Sequence, residues 1–372
     1  MLHYLFDYLY VSGIDATIHN LFNYISVRSA LAMITSLFVT IYFGKSIIEF
    51  LSKKLVKDDI RDLGLEGQKE KSGTPTMGGV IILLGILIPT FLFCRLNNIY
   101  VIIMIITAVW MAVIGFIDDY IKVFKNNKNG LAGKFKILGQ VFLGLIVAAF
   151  MLFHPSIVIQ ENIHHQNTYI EHVDNSINFG DPEKSLKTTI PFVKNNQFDY
   201  SDLTRLISSY EWLLFLLFGF IIVFIITGVS NSANLTDGID GLATGSCAIV
   251  GATLGVFCYV SGNMIFANYL DVMYIPNIAE LVVFLSAFVG ACVGFLWYNS
   301  FPAQIFMGDT GSLALGGIIG VVAILIRKEL LLPIFCGLFF IESLSVIIQV
   351  GYFKYTKGKY GVGKRIFLMS PL

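Results

Sequence analysis

Charged residues are scarce in this chain of 372 residues, where they make up only 13% of the sequence. That share is about half of what a soluble protein carries. The 25 basic residues balance 25 acidic ones, so no cationic surplus is present to attract nucleic acid, and nucleic acid is not expected as a partner. Hydrophobic residues reach 56%, which excludes intrinsic disorder. A soluble fold has too little interior to bury this much apolar surface, so lipid is expected to surround most of the chain.

Cysteines are few, and their arrangement excludes a disulfide framework. The chain has five, none in a Cys-x-x-Cys spacing, and all lie in or beside apolar runs. We interpret them as packing residues. The N-terminus also lacks the basic start of a secretory signal, since Asp7 and Asp15 stand there instead. The first apolar run is therefore expected to be retained as a membrane span.

Long apolar runs are what the sequence has in abundance. A helix needs about 20 apolar residues to cross a bilayer, and nine stretches meet or approach that length. A β-barrel is disfavoured because the runs are continuous rather than alternating. We predict an all-α, polytopic integral membrane protein with nine transmembrane helices in this chain. The predicted spans are 25–51, 77–94, 98–117, 136–153, 212–229, 242–260, 278–298, 312–327 and 330–352.

Basic residues in the short loops predict the orientation of the spans. Loops 52–76 and 118–135 and the tail after residue 352 are rich in Lys and Arg, and all three fall on one side if nine spans alternate. That side is expected to be the cytoplasm, with the N-terminus outside. The polar segment 154–211 is then an extracytoplasmic insertion between the fourth and fifth spans. We otherwise expect residues 1–372 to form a single membrane domain.

Two further inner loops, 230–241 and 299–311, contain no Lys or Arg but are rich in Asp and Asn. Charges at membrane depth are costly unless they are paired or functional. Helix capping is one explanation for some of these residues. A group of carboxylates on one face, with lysines nearby, instead suggests a Mg²⁺ site for phosphoryl transfer. The carboxylates are Asp118, Asp119, Asp237, Asp240 and Asp309.

Five motifs, in order along the chain, resemble those of the phospho-N-acetylmuramoyl-pentapeptide transferase (MraY) family, within the polyprenyl-phosphate sugar-1-phosphate transferases. The resemblance covers essentially the whole chain. It implies a bacterial inner-membrane enzyme with a cytoplasmic active site, often a homodimer, that uses Mg²⁺. The implied reaction moves phospho-MurNAc-pentapeptide from UDP-MurNAc-pentapeptide to undecaprenyl phosphate, giving lipid I and UMP in peptidoglycan synthesis. The motifs are Gly73-Thr-Pro-Thr-Met-Gly-Gly79, Asp118-Asp-Tyr-Ile-Lys122, Asn234-Leu-Thr-Asp-Gly-Ile-Asp-Gly-Leu242, Phe306-Met-Gly-Asp-Thr-Gly-Ser-Leu313 and Gly363-Lys-Arg-Ile-Phe-Leu-Met-Ser-Pro-Leu372.

The same resemblance implies roles for individual residues. Asp118, Asp119 and Asp309 would be catalytic, with Asp309 and Asp118 as metal ligands and Asp118 deprotonating or orienting the lipid phosphate. Phe306 would stack on uracil. The sequence leaves open whether an aspartate first attacks the diphosphate or the lipid phosphate attacks directly. The implied substrate-binding residues are Lys71, Thr76, Lys122, Lys134, Asn234, Asp237, Asp240, Asn299 and Phe306.

Two alternatives and one departure from the family pattern remain. A related transferase that loads GlcNAc-1-phosphate from UDP-GlcNAc onto a polyprenyl phosphate would share the aspartate loops. A secondary transporter is a rival of another class, although transporters hold their sites near the midplane of the membrane. The family continues after Met-Ser-Pro-Leu with three histidines and a tenth helix, whereas this sequence stops at Leu372. We therefore expect a truncated family member with strongly reduced activity or none.

Overall fold

The computed structural model describes residues 1–11, 16–54, 74–125, 127, 129–161, 179–190, 197–202, 211–367 and 370. Almost all regular structure in this part is helical, and the described strands form one short hairpin. Two single 3₁₀ turns, Ile278–Glu280 and Glu329–Leu331, accompany the helices. The elements are α1 Leu2–Val11, α2 Ala16–Asn23, α3 Ile25–Lys54, α4 Gly79–Phe93, α5 Ile99–Phe124, α6 Gly133–Phe153, β1 Lys187–Thr189, β2 Gln197–Asp199, α7 Glu211–Thr236, α8 Leu242–Ser261, α9 Met264–Tyr269, α10 Leu281–Asn299, α11 Gly308–Leu325, α12 Leu332–Phe335 and α13 Gly337–Tyr360.

The structure confirms an all-α, polytopic membrane architecture. Within the described residues, 8 helices are long and apolar enough to cross a membrane. The predicted span 77–94 is the exception, because α4 has 15 residues. Met77 has a left-handed backbone with φ of 76°, and the N–H groups of Gly78 and Gly79 donate to the carbonyls of Phe306 and Met307. The chain before Gly79 is therefore held by a neighbouring loop instead of continuing the helix.

Two helices form the centre of the bundle. Nearly all of α11 is buried, and most of α10 is buried as well. α10 packs against α3, and α11 packs against α5 and α7. Small residues permit these close contacts: a Cβ on Gly115 of α5 would lie 2.2 Å from the carbonyl oxygen of Asp309 at the start of α11. Such close approach through glycine is typical of helices that pack in lipid.

The outer faces of the bundle are apolar. Large side chains such as Phe220, Phe224, Ile249 and Trp297 are more than half exposed. A soluble protein rarely exposes so much contiguous apolar surface. Because the exposed side chains lie on the helices that could span a membrane, this surface is the one expected to contact lipid chains.

The described part of segment 154–211 packs onto the helical bundle. β1 and β2 pair antiparallel, with Thr188 opposite Phe198. The backbone N–H of Thr189 donates to the carbonyl of Arg327, 3.0 Å away, and the hydroxyl of Tyr200 donates to Glu329 at 3.0 Å. These bonds attach the hairpin to the loop that follows α11.

Candidate active site

Three carboxylates from two helices meet at one end of the bundle. Asp118 and Asp119 lie in the last two turns of α5, and Asp309 lies in the first turn of α11. One oxygen from each of the three lies within 4.8 Å of the others, so the group could hold a metal ion. Asp118 and Asp119 are buried, and the side chain of Asp309 is 14% exposed. Residues nearly 200 positions apart are thus brought into one site.

The predicted end of the third span at residue 117 is wrong, and the difference matters for this site. α5 continues to Phe124, so both aspartates lie inside the helix and do not terminate it. The Nζ of Lys122 lies 2.5 Å from Asp118, one turn earlier on the same face. Oppositely charged residues four positions apart stabilise a helix. This pair allows the helix to extend past the apolar run.

Two lysines bridge the carboxylates. The Nζ of Lys136, in the first turn of α6, lies 2.9 Å from Asp118 and 2.5 Å from Asp309. The Nζ of Lys122 lies 3.3 Å from Asp309 in addition to its contact with Asp118. Asp118 also accepts a hydrogen bond at 2.7 Å from the backbone N–H of Leu131. Buried charges are tolerated when they are paired in this way.

Asp119 has a different set of partners. Its carboxylate accepts from the backbone N–H groups of Asp309 at 3.1 Å and Thr310 at 2.9 Å, and from the Thr310 hydroxyl at 2.5 Å. These donors form the start of α11, whose first N–H groups have no partner within the helix. Asp119 therefore caps α11 from a neighbouring helix. Its hydrogen bonds orient Asp309, while Asp118 and Asp309 both contact Lys122 and Lys136.

The loop after α7 adds further negative charge. Burial, followed by the nearby charges of Asp309 and Asp119, raises the pKa of Asp237 well above its ordinary value. The Gly308 backbone N–H opposes this effect by donating a hydrogen bond to Asp237. Asp240 stands farther along the same loop, where its carboxylate accepts from the backbone N–H of Ala303 at 3.3 Å. Carboxylates that raise one another's pKa form a region that a cation or a cationic side chain stabilises.

The two predicted asparagines connect the loops of the site. Asn299 is buried at the end of α10; its carbonyl oxygen accepts from the Gly241 N–H and the Thr244 hydroxyl, and its amide donates to the carbonyl of Ile305. Asn234 donates to the Ser312 hydroxyl at 2.8 Å, which joins α7 to the first turn of α11. Both amides use these bonds to hold protein groups in place.

Phe306 and Thr76 lie in adjacent loops. The backbone N–H of Phe306 donates to the carbonyl of Pro75, and its carbonyl accepts from the N–H of Gly78. Both Phe306 and Thr76 are partly exposed, so a ligand can reach them from outside. Lys71, predicted to bind substrate from the same motif, lies outside the described residues.

The structure distinguishes the predicted Lys134 from Lys136, two residues later at the start of α6. Lys134 is exposed, and no contact between it and the carboxylates is seen, whereas Lys136 reaches Asp118 and Asp309. Sequence reasoning missed Lys136. Its position in the sequence could have identified it. Residues two apart on a helix point in different directions, and Lys136 lies four residues before the buried Gln140, on the same face of α6.

The chain is similar to known proteins across its whole length. Residues 101–327 match the model described as Glycosyl transferase family 4, and residues 71–83 match the Phospho-N-acetylmuramoyl-pentapeptide-transferase signature 1. A phospho-N-acetylmuramoyl-pentapeptide-transferase of Flavobacterium psychrophilum is 55% identical over 100% of this chain and 91% of its own length. Proteins of the same name from Amoebophilus asiaticus and Parabacteroides distasonis are 56% and 54% identical, again over 100% of this chain, and over 91% and 88% of their own lengths. The chain therefore belongs to the phospho-N-acetylmuramoyl-pentapeptide-transferase family.

Proposed function

We propose that this membrane protein transfers phospho-MurNAc-pentapeptide from UDP-MurNAc-pentapeptide to undecaprenyl phosphate, giving lipid I and UMP. The observation that carries the proposal is the placement of Asp118 and Asp309 between Lys122 and Lys136 at one end of the helical bundle. Full-length identity above 50% to transferases of this name supports the substrates. The GlcNAc-1-phosphate transferase and the transporter are not favoured by these relatives.

Mg²⁺ is the proposed cofactor, and the carboxylates fit it. Three carboxylate oxygens within 4.8 Å of one another match a cation that takes oxygen ligands, usually one or two carboxylates plus substrate phosphates. Asp309 and Asp118 would hold the ion, because Asp119 is engaged in capping α11. Mg²⁺ would neutralise charge on the diphosphate. The two lysines contact the same carboxylate oxygens now, and they would be released toward substrate phosphates when the ion binds.

In the direct reaction, an oxygen of undecaprenyl phosphate attacks the phosphorus attached to the sugar. A new P–O bond forms there, the P–O bond to UMP breaks, and UMP leaves with the electron pair. The protein has to position the phosphates and neutralise their charge, since this chemistry needs little else. Lys122 and Lys136 would contact the phosphate oxygens, and Asp119 would keep Asp309 oriented. The roles of Asp118 and Lys71 stay predictions from the resemblance, and the role predicted for Lys134 is proposed to belong to Lys136.

The uridine end of the substrate is proposed to bind beside Phe306. An aromatic ring that is partly exposed can stack on a base. Asn299 and Asn234 would act by holding the loops around it, because their amide groups already bond to protein atoms. Thr76 and Asp240 lie in the adjoining loops, and Asp237 lies near the carboxylates that would hold the metal, where a bound cation would favour its charged form.

The site is proposed to face the cytoplasm of a bacterial inner membrane. Lys53 and Lys54 at the end of α3, Lys122 near the end of α5 and Lys357 near the end of α13 support this orientation, since all four lie at helix ends on the predicted inner side. A homodimer is proposed on the family resemblance alone. Light scattering of the purified protein would test it.

The proposal is tested by measuring UMP release with Mg²⁺, undecaprenyl phosphate and UDP-MurNAc-pentapeptide, in this chain and in a chain extended by the three histidines and the tenth helix that the resemblance implies; the more active of the two is the wild type for the variants. Asp309→Asn keeps the size of the side chain but removes its charge, and we expect UMP release to fall by at least about a hundredfold. Asp181→Asn is the matched control, because Asp181 is exposed and lies in the segment between the fourth and fifth spans. Release of UMP from UDP-GlcNAc but not from UDP-MurNAc-pentapeptide would overturn the substrate assignment. Equal activity of Asp309→Asn and wild type would overturn the site.

A further inference from the structure

A second polar region lies at the opposite end of the bundle from the carboxylates. A cavity of about 790 Å³ opens there, with Asn98, Arg95 and Glu280 in its wall. Asn98 caps the start of α5, and Asp118 follows 20 residues later on that helix. At 1.5 Å per residue, about 30 Å of helix separates the two regions. The cavity is therefore distinct from the proposed active site.

The floor of the cavity is a buried ion pair. Arg28 is 1% exposed and Glu280 is 5% exposed, and both terminal nitrogens of Arg28 contact the Glu280 carboxylate. Arg28 also donates to the carbonyl of Phe93 at 3.2 Å. Glu280 accepts the backbone N–H of Arg95 at 2.7 Å as well. The charge of Arg28 is thus balanced by Glu280, which joins the start of α3 to the start of α10.

Hydrogen-bond donors remain unused at this cavity. The Nε of Arg28 and the hydroxyl of Tyr100 are buried and have no partner in the described part of the chain. Leaving a buried donor unsatisfied costs about 1–3 kcal/mol, so native proteins usually supply an acceptor. Both residues line the cavity, where a ligand or water could supply one. The Nε of Arg28 and the hydroxyl of Tyr100 therefore require acceptor oxygens.

Glu280 balances the charge of Arg28, so Arg95 supplies the remaining positive charge of the cavity lining. Its side chain is exposed, and its guanidinium donates to the Asn23 side chain at 3.3 Å. Guanidinium groups carry five donors and bind phosphate or carboxylate in a forked geometry. Of the Arg, Lys, Asp and Glu residues that line the cavity, Arg28 and Arg95 are positive and Glu280 is negative, which leaves one net positive charge. An anionic, oxygen-rich ligand fits this lining.

The position of α1 indicates where such a ligand comes from. The amino group of Met1 donates to the carbonyl of Phe91 at 2.7 Å, and the hydroxyl of Tyr4 accepts from the N–H of Asn97 at 3.2 Å. α1 therefore lies across the end of α4 beside the cavity, with Tyr8 and Tyr10 exposed. Short apolar helices rich in tyrosine lie at the head-group level of a membrane. The cavity is then at the depth where lipid phosphates are found.

We propose that this cavity binds a phosphate-bearing anion, supplied by the head group of an anionic phospholipid in the leaflet opposite the active site. The phosphate accepts from the guanidinium of Arg95, and its oxygens complete the bonding of Arg28 and Tyr100. Free inorganic phosphate offers the same chemistry without the acyl chains. The test therefore examines both sources.

The experiment measures binding to the purified, delipidated chain in neutral detergent. Phosphatidylglycerol is titrated with native mass spectrometry as the readout, phosphatidylethanolamine serves as the zwitterionic comparison, and inorganic phosphate is titrated by calorimetry. The variants are Arg95→Gln, which removes the free charge, and Tyr100→Phe, which removes only the hydroxyl. Arg365→Gln is the matched control, because Arg365 is exposed and follows the far end of α13. Melting curves establish that each variant is folded.

We expect wild type to prefer phosphatidylglycerol, and Arg95→Gln to weaken that binding about tenfold, as loss of a charge-assisted bond predicts. Tyr100→Phe should weaken it less, and Arg365→Gln should leave it unchanged. Displacement of the lipid by millimolar phosphate would identify the phosphate group itself as the recognised feature. Binding of both ligands by Arg95→Gln and Tyr100→Phe at wild-type strength would overturn the proposal. An equal loss in Arg365→Gln would also overturn it, since general charge attraction would then explain the binding.

Discussion

The carboxylate of Asp119 and the backbone N–H of Thr310 lie 2.9 Å apart, and this hydrogen bond joins the end of α5 to the start of α11. The hydroxyl of Thr310 donates to the same oxygen. A negative charge at a helix N-terminus is favourable, because the unpaired N–H groups point toward it. The neighbouring residue Asp309 is held in place by this contact, so the two aspartates of α5 have separate tasks.

Replacement of Asp119 by Ala should reduce both stability and activity. Loss of a capping side chain costs about 1–2 kcal/mol, and the first turn of α11 would no longer orient Asp309. We expect a lower melting temperature together with a large loss of UMP release. Asp119→Asn should recover much of the stability, because an amide oxygen still accepts hydrogen bonds. A melting temperature of Asp119→Ala equal to that of wild type would contradict the capping role.

Lys136 and Lys134 form a matched pair on α6. Lys136→Met removes the cation between Asp118 and Asp309, and we expect UMP release to fall by about 10²–10³-fold. Lys134→Met changes an exposed side chain, and its activity should stay within about threefold of wild type. Steady-state rates at saturating substrate are the measurement. The opposite ranking would show that the family role belongs to Lys134, as the sequence prediction had it.

Gly308 should not tolerate a side chain. Its φ is +73°, and a Cβ would lie 2.7 Å from the Asp119 carboxylate. Gly308→Ala is therefore expected to lower the melting temperature and to disturb Asp309, since the left-handed backbone disfavours Ala as well. Gly358→Ala, in the last turns of α13, has open space and is the control. Equal melting temperatures and activities of the two variants would contradict this expectation.

Lys328 should make stability depend on pH in the alkaline range. Burial lowers the pKa of Lys328 to about 8, and the nearby Glu329 opposes that change. Below that pKa the folded protein holds a buried ammonium, at a cost of about 3 kcal/mol relative to an ordinary lysine. The cost is relieved as pH rises from about 8 toward the pKa of the unfolded chain. Lys328→Met should therefore melt higher than wild type at pH 7.

The advantage of Lys328→Met should shrink toward pH 10, because the lysine is then neutral in the folded protein while it is still mostly charged in the unfolded chain. Melting temperatures of the two proteins across pH 6.5–10 give the difference directly. Lys184→Met is a suitable control, because Lys184 is exposed and lies just before β1, the strand whose Thr189 contacts Lys328. Parallel melting curves for wild type and Lys328→Met over this range would show that the burial of Lys328 has no energetic consequence.

Much of the site followed from the sequence because its residues occur in compact motifs at the ends of apolar runs. Asp118, Asp119 and Asp309 were predicted to gather on one face, and they do. The contacts of Lys136 with Asp118 and Asp309 were missed, since they depend on which side of α6 faces α5. The capping role of Asp119 was also missed, because capping was considered only for residues of the capped helix itself.

The sequence alone shows that lipid surrounds the protein, because 56% hydrophobic residues in long runs leave no soluble alternative. It also determined which loops carry chemistry, since polar residues at membrane depth are rare without a function. The partner of each charged side chain depends instead on how the helices pack. Glu280 accepts from Arg28, 252 residues away, and Lys136 reaches Asp309 across 173 residues. Such pairs arise from helix packing, which brings together residues that no local pattern connects.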